Sequence, residues 1–186
     1  LQPNLSALLS VNPARRVTAE AMKNCDYFCR GPVQTMRELE GLLQLDEEQQ
    51  MGVLKTLLPA LEPFPDYLLT SMVLPKLTEL AHITDFAPYL LPCLLYIGEK
   101  VDAAVFNAKL VPAFVPMITL SSPPELVTTV YALFVDKLPL LLEKGDNAFK
   151  SKYLLPALGR CISCGIAQLQ APVLDGMVRV RRRAEA

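Results

Sequence analysis

The sequence contains no tryptophan, one histidine and only eight glycines among its 186 residues. A single histidine excludes the sites that need several, which include most catalytic zinc centres. The formal net charge of −1 provides no general attraction to nucleic acid or to an anionic membrane. The most apolar stretch, residues 86–98, holds two prolines and is shorter than the roughly 20 residues that a membrane-spanning helix needs.

What the chain does contain is a large apolar fraction. Hydrophobic residues make up 52% of it and charged residues 20%, which predicts a folded protein with a continuous core. Its five cysteines are an odd number, and they fit a reducing cytoplasm better than a disulfide framework. The first ten residues lack the basic start of a secretory signal. Because the chain does not begin with methionine, we expect a fragment of a longer protein.

One short phrase recurs along the chain: an aliphatic residue, proline, any residue and an apolar residue. Its prolines are Pro59, Pro75, Pro92, Pro112 and Pro156. Taken two helices at a time, the step from Pro75 to Pro112 is 37 residues and the step from Pro112 to Pro156 is 44. Self-similarity at about 40 residues is typical of stacked helix pairs. The sequence therefore predicts an all-α solenoid of the HEAT or armadillo type.

From Val33 onward the apolar residues recur with a helical period. The period runs through the internal prolines, which favours continuous, bent helices over pairs of shorter helices divided at each proline. Between Pro124 and about Leu142 the pattern predicts one helix, and another is predicted over 148–169. Short loops between such helices are what stacked antiparallel pairs require.

The first 28 residues do not share this repeat, and they resemble the end of a protein-kinase C-lobe. The leucine-rich segment 5–9 leads into Asn12-Pro13 and on to Thr18-Ala19, and the aromatic pair Tyr27-Phe28 closes the segment. In kinases, the arginine at the place of Arg16 forms an ion pair with a buried glutamate, and that partner is not in this sequence. The resemblance therefore implies a structural role for Arg16.

A C-lobe end that runs into helical repeats resembles the SCY-like pseudokinase family. Segments 72–77, 89–92 and 109–112 are especially similar to the coated-vesicle-associated kinase branch. The resemblance implies a scaffold whose protein partners are coat or adaptor components, such as clathrin or its adaptors. It also implies a cytoplasmic location, peripheral at Golgi, endosomes or coated vesicles. The expected organisation is a C-lobe end at 1–30, HEAT-like repeats at 31–178 and a disordered basic tail at 179–186.

No kinase chemistry is expected within this chain. The glycine-rich loop, the ATP-contacting lysine and the catalytic and magnesium-binding aspartates of a kinase would all lie upstream. We therefore predict no catalytic residue, no cofactor, no metal, no small-molecule substrate, no nucleic acid and at most peripheral membrane association. Two alternatives stay open: a fragment of an active Ser/Thr kinase that carries helical repeats, and a helical-repeat binding module of another class.

Several cysteines, one histidine and one basic run could in principle belong to a functional site. Cys161 and Cys164 form a lone CxxC without a second pair of ligands, and Cys25 and Cys29 are spaced by four, so buried or incidental thiols are the simpler prediction. His82 follows a helix end, where a histidine is favoured by the helix dipole. The basic run 179–183 could contact phosphates but is more simply a solvated terminus.

Overall fold

The computed structural model describes residues 6, 8–23, 25, 29, 31–121, 123–163, 174, 177 and 178. Over these residues it has nine helices and no strand, which confirms the all-α prediction. The helices are α1 (Ala19–Lys23), α2 (Pro32–Gly41), α3 (Glu47–Leu61), α4 (66–80), α5 (Ala87–Lys100), α6 (103–118), α7 (Pro124–Asp136), α8 (Leu138–Lys144) and α9 (147–163). Short 3-10 turns occur at Pro13–Arg15, Leu42–Gln44 and Thr84–Phe86. No helix in the described ranges is both long and apolar enough to cross a membrane.

The chain divides into two compact units, Leu1–Phe64 and Pro65–Ala186. In the first unit α2 packs against α3, and Leu39, Leu54 and Leu57 are among the side chains that this contact buries. Asp46 starts α3 by accepting a hydrogen bond from the backbone N–H of Gln49 at 2.9 Å. The expected boundary between residues 30 and 31 stays a prediction, as does the kinase-like origin of residues 1–30. The expected basic tail, 179–186, lies outside the described residues.

The second unit is a stack of helical repeats. From α4 to α8 each helix packs against the next one in sequence, and helices two or three places apart also pack together, α5 on α7 and α6 on α9. Leucines and phenylalanines fill the space between them, among them Leu77, Leu91 and Phe106, each with no exposed surface. Burial of this apolar area supplies most of the stabilisation of such a stack.

Three helices of the second unit, α4, α6 and α9, share one interrupted pattern. Each has its proline ten residues after the N-cap, and a π turn begins four residues after that cap. The three N-caps are Pro65, Asp102 and Asp146, and the π turns are Leu69–Val73, Phe106–Leu110 and Lys150–Leu154. Pro75, Pro112 and Pro156 are therefore equivalent residues, as the steps of 37 and 44 residues predicted.

The π turn explains how a helix continues through its proline. In a regular α-helix the proline ring collides with the carbonyl four residues earlier and removes one donor, at a cost of about 3 kcal/mol. Here the residue before each proline donates to the carbonyl five residues earlier, as Leu74 does to Leu69. The wider turn moves the backbone carbonyls out of their α-helical positions just before the ring, so one helix runs through the proline instead of two short ones.

Pro59 and Pro92 do not belong to this set. Pro59 lies near the end of α3, and Pro92 lies six residues after the N-cap Phe86 of α5; both helices are regular around these prolines. The phrase predicted from sequence thus mixes two kinds of position, because its spacing was counted along the chain and not from the start of each helix.

The single helix predicted from Pro124 to about Leu142 is wrong, because α7 ends at Asp136 and α8 begins at Leu138. Pro139 is the physical reason. It cannot donate to the carbonyl of Val135, and the backbone N–H of Lys137 donates to that carbonyl instead, in a tight turn.

Lysine and asparagine side chains hold the ends of non-adjacent helices together. The ammonium group of Lys144, at the end of α8, donates to the carbonyls of Gly98, Glu99 and Val101 at 2.7–2.9 Å, where α5 ends. The amide of Asn107 in α6 donates to the Lys144 carbonyl at 2.8 Å and accepts from the next loop. A cation at a helix C-terminus also complements the helix dipole.

Candidate protein-binding groove

A groove of about 480 Å³ lies between α4 and α6 on the second unit. One side comes from the second half of α4 and the two residues after it, and the other side comes from α6 on both sides of Pro112. Its lining is Pro75, Thr78, Ala81, His82, Ala108, Lys109, Pro112, Ala113 and Pro116. Three prolines and three alanines make it mostly apolar, and its volume is in the range of ligand-binding clefts.

Two of the repeat prolines form the groove directly. Pro75 and Pro112 occupy the same position in α4 and α6, and each ring stands on the surface of its helix just after the π turn. Ala81 and Ala113 are buried, and their small side chains leave room between the two helices. The space is therefore a consequence of short or rigid side chains at successive turns of both helices.

The remaining predicted structural residues lie elsewhere. Pro59 and Pro156 are exposed on α3 and α9, and Pro92 is half-buried in α5. Arg16 is exposed, and its Nε donates to the carbonyl of Ser10 at 2.9 Å. Its expected ion pair with a glutamate outside this sequence stays a prediction.

Sequence reasoning missed that the groove brings two ionisable residues to one place. His82 lies just after α4 and Lys109 lies in α6, 27 positions further along the chain, and both are exposed at the groove. The sequence alone indicates only that His82 follows the end of a helix. The available signal was the spacing of Ala108, Pro112 and Pro116, since short or rigid side chains four residues apart lie on one face of a helix and leave that face poorly filled.

The thiols considered from sequence do not form a cluster where the structure describes them. Cys29 is exposed, Cys25 is half-buried, and Cys93 and Cys161 are buried. Cys164, the other half of the CxxC, lies outside the described residues. Over the described part of the chain, no group of three or more His, Cys, Asp or Glu residues is arranged to hold a metal ion.

Cys93 is expected to make folding stability fall in alkaline solution. Burial raises the pKa of its thiol from 9.0 to about 12, so between these values the unfolded chain loses a proton that the folded chain keeps. The free energy of unfolding should therefore drop as pH rises above about 9, by up to about 1.4 kcal/mol per pH unit. Urea unfolding at pH 8 and pH 10 measures this, and Cys93→Val should remove that part of the drop. An equal drop in both proteins would contradict it.

The chain is similar to two kinase-related proteins over most of its length. It is 26% identical over 162 residues to the protein kinase domain-containing protein ppk32 of Schizosaccharomyces pombe, a match that covers 87% of this chain and 21% of that protein. It is 25% identical over 175 residues to SCY1-like protein 2 of Homo sapiens, covering 94% of this chain and 18% of that protein. These proteins are homologues of the chain, at about 25% identity over most of its length, and they support its resemblance to the SCY-like kinase family.

SCY1-like protein 2 of Mus musculus matches with the same identity and coverage. The chain spans about a fifth of the length of these curated relatives. No family model matches it. No solved structure matches it either. The resemblance to the SCY-like family, stated above from a few short segments, is thus supported along nearly the whole sequence.

Proposed function

We propose that this chain is a non-catalytic, protein-binding segment of a SCY-like pseudokinase that acts as a scaffold in membrane traffic. The observation that carries the proposal is the similarity to SCY1-like protein 2, which covers 94% of the chain. The helical repeats of the second unit support it, because such stacks offer extended surfaces to other proteins. The mostly apolar groove between α4 and α6 supplies a defined place for contact.

The proposed partners are coat or adaptor components such as clathrin or its adaptors. The proposed location is cytoplasmic, peripheral at Golgi, endosomes or coated vesicles. These assignments rest on the family resemblance. The groove adds a physical argument for a protein partner, because it offers an apolar floor between two helices, and apolar grooves are one of the recurrent sites of peptide recognition.

Binding to purified proteins tests the proposal. The chain, immobilised through a terminal tag, is exposed to purified clathrin triskelia and to purified clathrin adaptor complex, with serum albumin as the control. We expect saturable binding to at least one of the two coat proteins and none to albumin. Absence of binding to both, at concentrations up to about 100 μM, would contradict the proposed partners, since weaker association lies outside ordinary specific interfaces.

A further inference from the structure

One position in the repeat helps to keep the groove between α4 and α6 open. Fourteen residues after the N-cap, α6 has Pro116 and α9 has Arg160. Arg160 reaches from α9 to the end of α6, where its terminal guanidinium nitrogen donates to the carbonyl of Ile118 at 2.8 Å. Its Nε also donates to the hydroxyl of Tyr131 at 3.0 Å, and that hydroxyl donates to Ile118 as well.

The equivalent bridge cannot form between α6 and α4. Pro116 has a short ring without a donor, and it lies in the lining of the groove. The bridge that Arg160 makes in one repeat is therefore replaced by open space in the preceding repeat. The two equivalent helix pairs therefore differ at this position, and the pair α4 and α6 has a concave groove there.

The charge of this slot has one sign. Lys109 and His82 are its ionisable lining residues, and neither is paired with a carboxylate among the described residues. The lining contains no aspartate or glutamate. Glu79 and Asp85 are the acidic residues nearest to His82 in sequence; neither lines the groove, and Glu79 is paired with Lys76 at 3.2 Å. An ammonium group and an imidazole beside an apolar floor complement a ligand that carries a carboxylate next to an apolar side chain.

A peptide fits these features better than a membrane surface. Membrane-surface segments that read anionic lipid carry clusters of four to eight lysines or arginines, while this slot has one lysine and one histidine. The apolar part is also recessed between two helices, where an extended chain can insert a side chain.

We propose that the groove between α4 and α6 binds an extended peptide with an acidic residue next to an apolar one. The acidic residue lies against Lys109 and His82, and the apolar side chain lies on Pro75, Pro112 and Pro116. The proposal rests on the proposed function in one respect, since it names the chemistry that a protein partner presents to this segment.

The test uses a bead library of random heptapeptides and the whole chain. We expect selected peptides to be enriched in aspartate or glutamate beside apolar residues. The strongest of them, resynthesised with a fluorescent label, should bind Lys109→Glu about tenfold more weakly than wild type by fluorescence anisotropy. Lys55→Glu is the matched control, because it makes the same charge change at an exposed residue of α3 and should leave affinity unchanged.

A second variant distinguishes binding that needs the open space of the groove from binding by positive charge alone. Pro116→Arg adds a positive charge but fills the groove with the side chain that α9 has at this position. We expect weaker binding of the acidic peptide, whereas stronger binding would show simple charge attraction and overturn the proposal. Circular dichroism checks that each variant is folded. Lys109→Glu changes an exposed side chain, so it stays informative if Pro116→Arg does not fold.

Several other results would contradict the proposal. A library without acidic enrichment, or equal losses in Lys109→Glu and Lys55→Glu, overturns the proposal. So does sedimentation with phosphatidylserine vesicles that depends on Lys109 in the absence of peptide selection, which would assign the groove to a membrane. Clathrin or adaptor binding without acidic selection would leave the proposed function standing and refute the groove. Acidic selection without binding to either coat protein would support the peptide-binding groove and contradict the proposed coat partners.

Discussion

Replacing Phe114 with alanine is expected to lower the free energy of unfolding by about 3–5 kcal/mol. Phe114 has no exposed surface, and its ring packs against Phe106 within α6 and against Phe134 of α7, with ring centroids 5.8 and 5.7 Å apart. The contact with Phe134 is edge-to-face, which adds to the stabilisation from burial. Truncation therefore removes the aromatic contact between two helices and leaves a cavity that they cannot easily close.

Equilibrium unfolding in urea, followed by circular dichroism, measures this effect. Tyr67→Ala is the matched control, since it also truncates an aromatic residue of the second unit, but one that is 68% exposed. Its cost should stay within about 0.5 kcal/mol. If Phe114→Ala proved as mild as Tyr67→Ala, the aromatic cluster would not be a principal contact of the fold.

Leu91→Ala is expected to cost about 2–5 kcal/mol, while Leu155→Ala should cost only about 1 kcal/mol. Both leucines precede a proline of the recurrent phrase, and the sequence alone predicts equal burial for them. Leu91 has no exposed surface, whereas Leu155 is only half-buried and its neighbour Leu154 is in the core. The difference arises because α5 lies between other helices and the leucine of α9 faces partly outward.

The difference in unfolding free energy between the two variants is a more specific test than either value alone. The two substitutions remove the same atoms, so the difference in unfolding free energy reports the difference in burial. The same urea titrations give both values. Equal costs for the two variants would mean that the phrase marks one kind of buried position throughout, against the division between Pro92 and Pro156 described above.

Much of the architecture can be predicted from the sequence, because helical periodicity and proline spacing are local properties. The steps from Pro75 to Pro112 and from Pro112 to Pro156 identify the three equivalent helices. What spacing along the chain cannot show is where each helix starts. Pro59 and Pro92 repeat the same letters in helices that begin at different distances before them, so only the structure separates them from the others.

The groove depends on contacts that no local pattern contains. Its two sides come from α4 and α6, with the whole of α5 between them in sequence. At one repeat position Arg160 bridges two helices and Pro116 lines the groove, and which helices these side chains face is not visible from spacing along the chain. The break between α7 and α8 was not predicted, although Pro139 is visible in the sequence, because prolines elsewhere in the chain do not break their helices.

The π turns of α4, α6 and α9 also limit which changes each helix tolerates. A turn closed over five residues holds one more residue than a regular turn, and the wide turn absorbs that residue without turning the rest of the helix. Deleting one residue from Phe106–Leu110 would therefore leave a regular turn before Pro112, whose ring would then collide with the carbonyl four residues earlier, at a cost of about 3 kcal/mol. The proline and the extra residue depend on each other, so each of these helices can gain or lose them only together.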